Sequence, residues 1–190
     1  VDHIKDVADR FAAEGFVALV PDLYHGKSTR EPDEAGKLLM SLNLDQVGRD
    51  MSGAVDYLVE HSTGNGVGVI GFCMGGALAL LLGTLRPDAV KAVVPFYGLI
   101  VWPATEPDWS KMTAAVQGHY AEHDDSAGPA AVEKLNHELG GRGVAVETFL
   151  YPGTEHAFFN DTRPEVHDPE ASALAWERAL PFLRSALTGG

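Results

Sequence analysis

Hydrophobic positions along this chain follow two periods. Near the start, Ile4, Val7, Ala8 and Phe11 recur at helical spacing behind Asp2, and Gly15 follows, which predicts a helix capped by Asp2 and stopped at the glycine. Phe16 to Val20 is an unbroken apolar run closed by Pro21-Asp22, the pattern of a buried strand. The polar stretch from His25 to Asp33 predicts a loop, and a short helix is expected after Pro32. Asp45 is placed to cap a longer helix with Val47, Met51, Val55 and Leu58 on its inner face. Four more apolar runs predict strands over Val67–Phe72, Val90–Phe96, Ala114–Tyr120 and Val144–Tyr151. Helical patterns cover 74–85, about 130–139 and about 169–187. An irregular segment carries Trp102, Pro103, Pro107 and Trp109.

Alternating strands and helices predict an α/β fold, a mostly parallel sheet with helices on both faces. There is no internal repeat, low-complexity tract or linker, so residues 1–190 read as a single domain. Charge narrows the partners. With 14 basic and 27 acidic residues the net charge is −13, which repels phosphate backbones and anionic lipid, so neither nucleic acid nor a membrane surface is expected. No apolar run is long enough to span a bilayer, and the first residues lack the apolar core of a signal peptide. A lone cysteine excludes an internal disulfide and suits a reducing, cytoplasmic setting.

That cysteine also carries the strongest motif. Gly71-Phe72-Cys73-Met74-Gly75-Gly76 matches the nucleophile elbow of α/β-hydrolases, G-x-S-x-G, with Cys in place of Ser, between a predicted strand and a predicted helix. Such a turn sets Cys73 at a helix N-terminus, where the dipole and free N–H groups favour a thiolate, and offers the Met74 N–H as an oxyanion donor. A lone cysteine is more often a small buried hydrophobe; the strand–elbow–helix register is what outweighs that reading. The overlapping string Gly66-Val67-Gly68-Val69-Ile70-Gly71 has the form G-x-G-x-x-G, but it lies within the strand instead of opening a helix, so no dinucleotide cofactor is expected.

Among 8 histidines, His156 is singled out by lying after the last predicted strand, where this fold keeps its catalytic imidazole. His119 and His123 have metal-like spacing, but a strand end gives them no shared helical face, and no metal is expected. The acid belongs at the end of the strand between nucleophile and histidine, in Ala121-Glu122-His123-Asp124-Asp125. Asp124 is the first choice and Asp125 the alternative.

On these residues the chain resembles the dienelactone hydrolase (carboxymethylenebutenolidase) family of α/β-hydrolases. The matching segments are Gly15-Phe16 to Pro21-Asp22-Leu23-Tyr24, the cysteine elbow, the Glu122-His123-Asp124 turn and Gly153-Thr154-Glu155-His156-Ala157-Phe158-Phe159-Asn160. The resemblance implies a Cys73–His156–Asp124 triad that cleaves an ester or lactone through a thioester, without a cofactor. It implies a small-molecule substrate and a cytoplasmic enzyme; a monomer or homodimer is expected. It also implies further strands before the first helix, bearing a glutamate that interacts with the cysteine and a second oxyanion donor. The chain begins at Val1 without them and is expected to be N-terminally truncated. Family members grip the substrate carboxylate with two arginines, where this chain has His25-Gly26-Lys27 and Asn160. Tyr24, Lys27 and Asn160 are therefore the candidate substrate contacts, with Arg30 and Arg163 as substitutes. The rival reading is a non-catalytic binding or thiol redox-sensing domain built on the same fold.

Overall fold

The computed structural model describes residues 2–29, 31–100 and 106–188. The chain forms two compact units, Val1–Ser62 and Thr63–Gly190.

The first unit contains three helices among its described residues: α1 (Asp2–Ala13), α2 (Pro32–Met40) and α3 (Leu44–His61). α1 buries His3, Val7 and Phe11 along one face. It stops as the sequence predicts. The Phe16 N–H reaches the Phe11 carbonyl (3.1 Å) and the Gly15 N–H the Ala12 carbonyl (3.0 Å), a Schellman pair closed by the edge-on contact of Phe11 and Phe16. α3 buries Val47, Gly48, Met51 and Val55, while Leu58 is only half-buried. Its cap is Asn43, whose side chain accepts from the Gln46 N–H at 3.0 Å; Asp45, the expected cap, lies inside the first turn. An Asn one residue before the helix has the non-helical backbone that capping requires, and Asp45 does not.

The expected strand over Phe16–Val20 is absent. The run is apolar enough to be a strand, but a strand exists only by ladder bonds to a neighbour. The four-stranded sheet of the described residues begins at Val67. Val17 and Val20 are 55% and 47% exposed instead of buried.

The second unit holds that sheet: β1 (Val67–Phe72), β2 (Val90–Phe96), β3 (Ala115–His123) and β4 (Val146–Glu155), all parallel and in chain order. Between them run α4 (Met74–Leu85), a single 3₁₀ turn (Trp109–Lys111) and α5 (Pro129–Gly140), and α6 (Pro169–Thr188) follows. The expected elements are all found here, with β3 and β4 running three or four residues further than the apolar pattern suggested. Trp102 and Pro103 lie outside the described residues. β2 is buried along nearly its whole length, and α4 is apolar on most faces with Ala77, Leu78, Ala79, Leu80 and Leu82 all buried. Each large side chain removed from water contributes about 1.5–3 kcal/mol, so burial in this central layer contributes strongly to the unit's stability. Its register brings Phe72, Phe96 and His119 level across β1, β2 and β3. The strands' carboxyl ends therefore share one edge.

Candidate active site

Open parallel sheets present their ligands with residues just past the carboxyl ends of the strands. In this chain those positions are Cys73 after β1, Tyr97 after β2, Asp124 after β3 and His156 after β4.

Cys73 occupies the elbow. Its backbone sits at φ 55° and ψ −124°, a conformation rare for a residue with a side chain. Its N–H donates to the Phe96 carbonyl at 3.0 Å, and its own carbonyl accepts from the Gly76 N–H at 2.9 Å. The turn closes only because its neighbours are small. A Cβ on Gly71 would collide with the Gly75 carbonyl, and one on Gly98 would collide with the Cys73 carbonyl. The thiol itself is exposed.

His156 is held in place by the three residues after it. Ala157 takes φ 69°, and Phe158 and Phe159 then turn inward, 0% and 3% exposed. Phe158 packs on Tyr97 and Tyr151, and Phe159 on Phe72 and Phe96. The two rings anchor the loop to the strand ends, and the imidazole stays half-buried beside the sulfur. His156 Nε2 lies 3.1 Å from Cys73 Sγ, and Nδ1 lies 2.7 Å from Asp124 Oδ2.

Asp124 is buried, and both its carboxylate oxygens are engaged. Oδ1 accepts from the Ser126 N–H (2.9 Å), the Ser126 hydroxyl (2.7 Å) and the Ala127 N–H (3.0 Å), which leaves Oδ2 for His156. Asp125 is exposed. Of the two adjacent acids, Asp124 is the imidazole's partner.

The charges follow from these contacts. The hydrogen bond from His156 lowers the Cys73 thiol below its ordinary value; burial opposes this, while the imidazolium charge and the Met74 N–H assist. His156 is pushed up to about 9, chiefly by the bond to Cys73; burial opposes, and Asp124 adds to the rise. Burial alone would raise the Asp124 carboxyl, but the bonds from His156, Ser126 and Ala127 outweigh it and hold it below the ordinary value. These shifts all run in the direction that favours a thiolate facing an imidazolium that rests on a carboxylate.

The remaining candidates are not part of this path. Tyr24 and Lys27 belong to the first unit, in a tight loop where Asp22 accepts from the Tyr24 and Gly26 N–H groups at 3.0 and 2.7 Å. Tyr24 is half-buried and Lys27 exposed. Asn160 turns its side-chain oxygen to Thr162, accepting from the N–H and the hydroxyl. Arg163 pairs with Glu165, and Arg30 lies outside the described residues. His119 is buried, hydrogen-bonded to Tyr151 and Gln117, and burial pushes its pKa down to about 3. His123 is exposed beside Glu122.

Sequence reasoning missed two contributors. Ser126 clamps the carboxylate, and its place two residues after the acid is an ordinary Asx-turn spacing that could have been read. Tyr97 lies edge-on to the His156 ring; its sole signal was its position at the end of an apolar strand, before a glycine.

The family model of the dienelactone hydrolases matches residues 1–187. The protein usf of Aquifex pyrophilus is 36% identical over 99% of this chain and 83% of its own length. A protein of Aquifex aeolicus assigned as a carboxymethylenebutenolidase is 33% identical over 98% of this chain and 82% of its own. Among solved structures, a Klebsiella pneumoniae protein assigned as a dienelactone hydrolase is 26% identical, with a TM-score of 0.86 over 97% of this chain and 81% of that one. With one family description running through both units, the chain belongs to the dienelactone hydrolase family of α/β-hydrolases, enzymes of the carboxylic ester hydrolase class.

Proposed function

We propose that this chain cleaves ester or lactone bonds with Cys73 as nucleophile, His156 as acid and base, and Asp124 as the carboxylate that orients the imidazole. One observation carries the reading: the unbroken path from Asp124 Oδ2 through both ring nitrogens of His156 to Cys73 Sγ, at 2.7 and 3.1 Å. The thiolate attacks the substrate carbonyl, and the oxyanion forms beside the Met74 N–H. The carbon–oxygen bond then breaks, and the leaving oxygen takes the proton held on His156 Nε2. A thioester remains on Cys73. Acylation removes the sulfur's charge and its hydrogen bond, the main reasons that His156 holds a proton so tightly. The neutral imidazole can then take a proton from water, whose oxygen attacks the thioester and releases the acid and the thiolate.

A lactone is the favoured substrate class, in keeping with the assignment of the Aquifex aeolicus relative. Thiolate leaves more readily than alkoxide, so attack is productive only on strained or activated esters. Tyr24, Lys27 and Asn160 are the proposed substrate contacts. The lone cysteine supports a cytoplasmic setting; a monomer or homodimer is proposed, and residues 1–190 are read as one domain.

The test is a rapid-quench experiment with p-nitrophenyl acetate. An initial burst of nitrophenol should accompany an acetyl group on the Cys73 peptide by mass spectrometry, and Cys73→Ala should give neither. Steady hydrolysis by Cys73→Ala would overturn the mechanism and favour a binding or redox-sensing role for the elbow.

A further inference from the structure

We propose that Tyr97 is a positioning residue, an uncharged aromatic wall that holds the His156 imidazole in line between Cys73 and Asp124 and so sets the pH at which the thiolate forms. The inference rests on the proposed triad and concerns how it is tuned.

Tyr97 is the first residue after β2, the strand hydrogen-bonded to the elbow strand. Its backbone is at φ 37°, so this aromatic residue keeps a left-handed conformation that its side chain disfavours. Such conformations persist only where the surroundings fix them, and they gather at functional sites. Here the fixing is visible on both sides. The Tyr97 N–H donates to the His119 carbonyl at 2.8 Å, and the next residue, Gly98, is pressed against the Cys73 carbonyl. The unusual backbone turns the ring toward the site. Tyr97 is 2% exposed, with its centroid 5.1 Å from that of His156 at an interplanar angle of 62°, and 5.5 Å from Phe158.

The imidazole thus has three neighbours from three strand ends. Cys73 and Asp124 hold its two nitrogens, and Tyr97 limits its tilt away from the line between them. The charged groups that act most strongly on His156 are Cys73 and Asp124. Tyr97 adds no charge. Burial, and then the nearby Cys73, hold its phenol protonated, with Arg163 opposing weakly. A wall of this kind affects the ion pair only through geometry. Without it the imidazole samples orientations in which Nε2 no longer faces the sulfur, and the thiolate loses its main stabiliser.

The single cysteine makes the test direct, because the pH dependence of iodoacetamide alkylation reports the ionisation of Cys73 alone. Tyr97→Leu should raise the alkylation midpoint by roughly half to one pH unit, the scale of an aromatic contact. It should lower kcat for p-nitrophenyl acetate in proportion, with KM little changed. Tyr97→Phe keeps the ring and should keep the wild-type midpoint. Should Tyr97→Leu fail to fold, Tyr97→Met, closer in volume, carries the same comparison. A residue that merely fills space would lower the melting temperature and leave the midpoint in place, and that result overturns the proposal. So does a Tyr97→Phe midpoint displaced as far as that of Tyr97→Leu. His156→Ala serves as the control: if the wild-type midpoint already equals that of His156→Ala, the ion pair itself is absent, and the failure belongs to the triad instead of to Tyr97.

Discussion

Cys73 and Asp124 stand at opposite ends of one hydrogen-bonded path, and they are held there by different means. Cys73 is placed by backbone. Its strained φ, its N–H bond to Phe96 and the glycines at 71 and 98 fix its Cα, whatever side chain it bears. Asp124 is placed by its side chain. Three donors from Ser126 and Ala127 clamp one carboxylate oxygen, and without that carboxylate the turn has nothing to close on. Substitution at 73 therefore tests chemistry alone, whereas a substitution at 124 that removes the side-chain oxygen disturbs chemistry and loop together. His156 lies between the two and depends on both.

This contrast can be broken at several points. The largest effect is expected at the shared residue. His156→Ala should lower ester hydrolysis by about a hundredfold or more, the usual worth of a positioned acid–base group. It should also return the Cys73 alkylation midpoint toward the ordinary thiol value of 9.0.

Next comes the backbone side. Gly98→Ala sets a Cβ against the Cys73 carbonyl, so the elbow must shift. Overpacking of this kind costs about 1–3 kcal/mol, visible in urea unfolding, and activity should fall with it although no reacting group has changed. A Gly98→Ala protein as stable and active as wild type would show that the elbow tolerates more movement than its packing indicates.

On the side-chain side, Asp124→Asn should cost less activity than His156→Ala, because in the proposed triad the carboxylate orients and does not react. Ser126 and Ala127 can still donate to the amide oxygen, so the loop should survive while the charge beneath the imidazolium is lost. Asp125→Asn, on an exposed neighbour, should leave kcat/KM unchanged, and equal losses from the two would contradict the assignment of Asp124.

The pH profile sharpens the comparison further. In the proposed mechanism the thiolate is needed for attack, so activity should appear as pH rises through the lowered Cys73 value. In the same proposal the imidazolium supplies the leaving group's proton, so activity should decline as pH passes about 9. A rate that keeps climbing to about pH 11, well beyond the range in which His156 holds its proton, would sink the preformed ion pair.

The smallest effect is expected at Gly75, where a Cβ meets nothing within 4 Å. Gly75→Ala lies in the first turn of α4 and should be neutral or stabilise by about 0.5–1 kcal/mol with activity retained, in contrast to Gly98→Ala.

Much of this arrangement was legible in the sequence, but unevenly. Val67–Phe72 and Phe16–Val20 look alike as apolar runs, yet only the first is a strand. An apolar run records a demand for burial; it does not name the ladder partner that turns burial into pairing. Asp45 and Asn43 are equally good capping types two residues apart, and the backbone at 43 decided between them. The site was more legible than the caps. A cysteine between strand and helix, an acid after the next-to-last strand and a histidine after the last one are positional signals, and parallel strands in chain order bring such positions to one edge.

The sequence by itself determined the α/β class and the elbow motif, and it narrowed the proposed base to His156 and the proposed acid to two adjacent residues. Local periodicity and short-range turn chemistry suffice for these, because each involves residues close along the chain. Only the tertiary structure decided that Asp124 and not Asp125 meets His156, that Ser126 clamps it, and that Tyr97 stands against the imidazole. Those outcomes depend on the directions in which side chains leave separate strand ends. Such directions are set by sheet register and by single backbone angles, such as φ 37° at Tyr97 and 69° at Ala157, which no local pattern encodes.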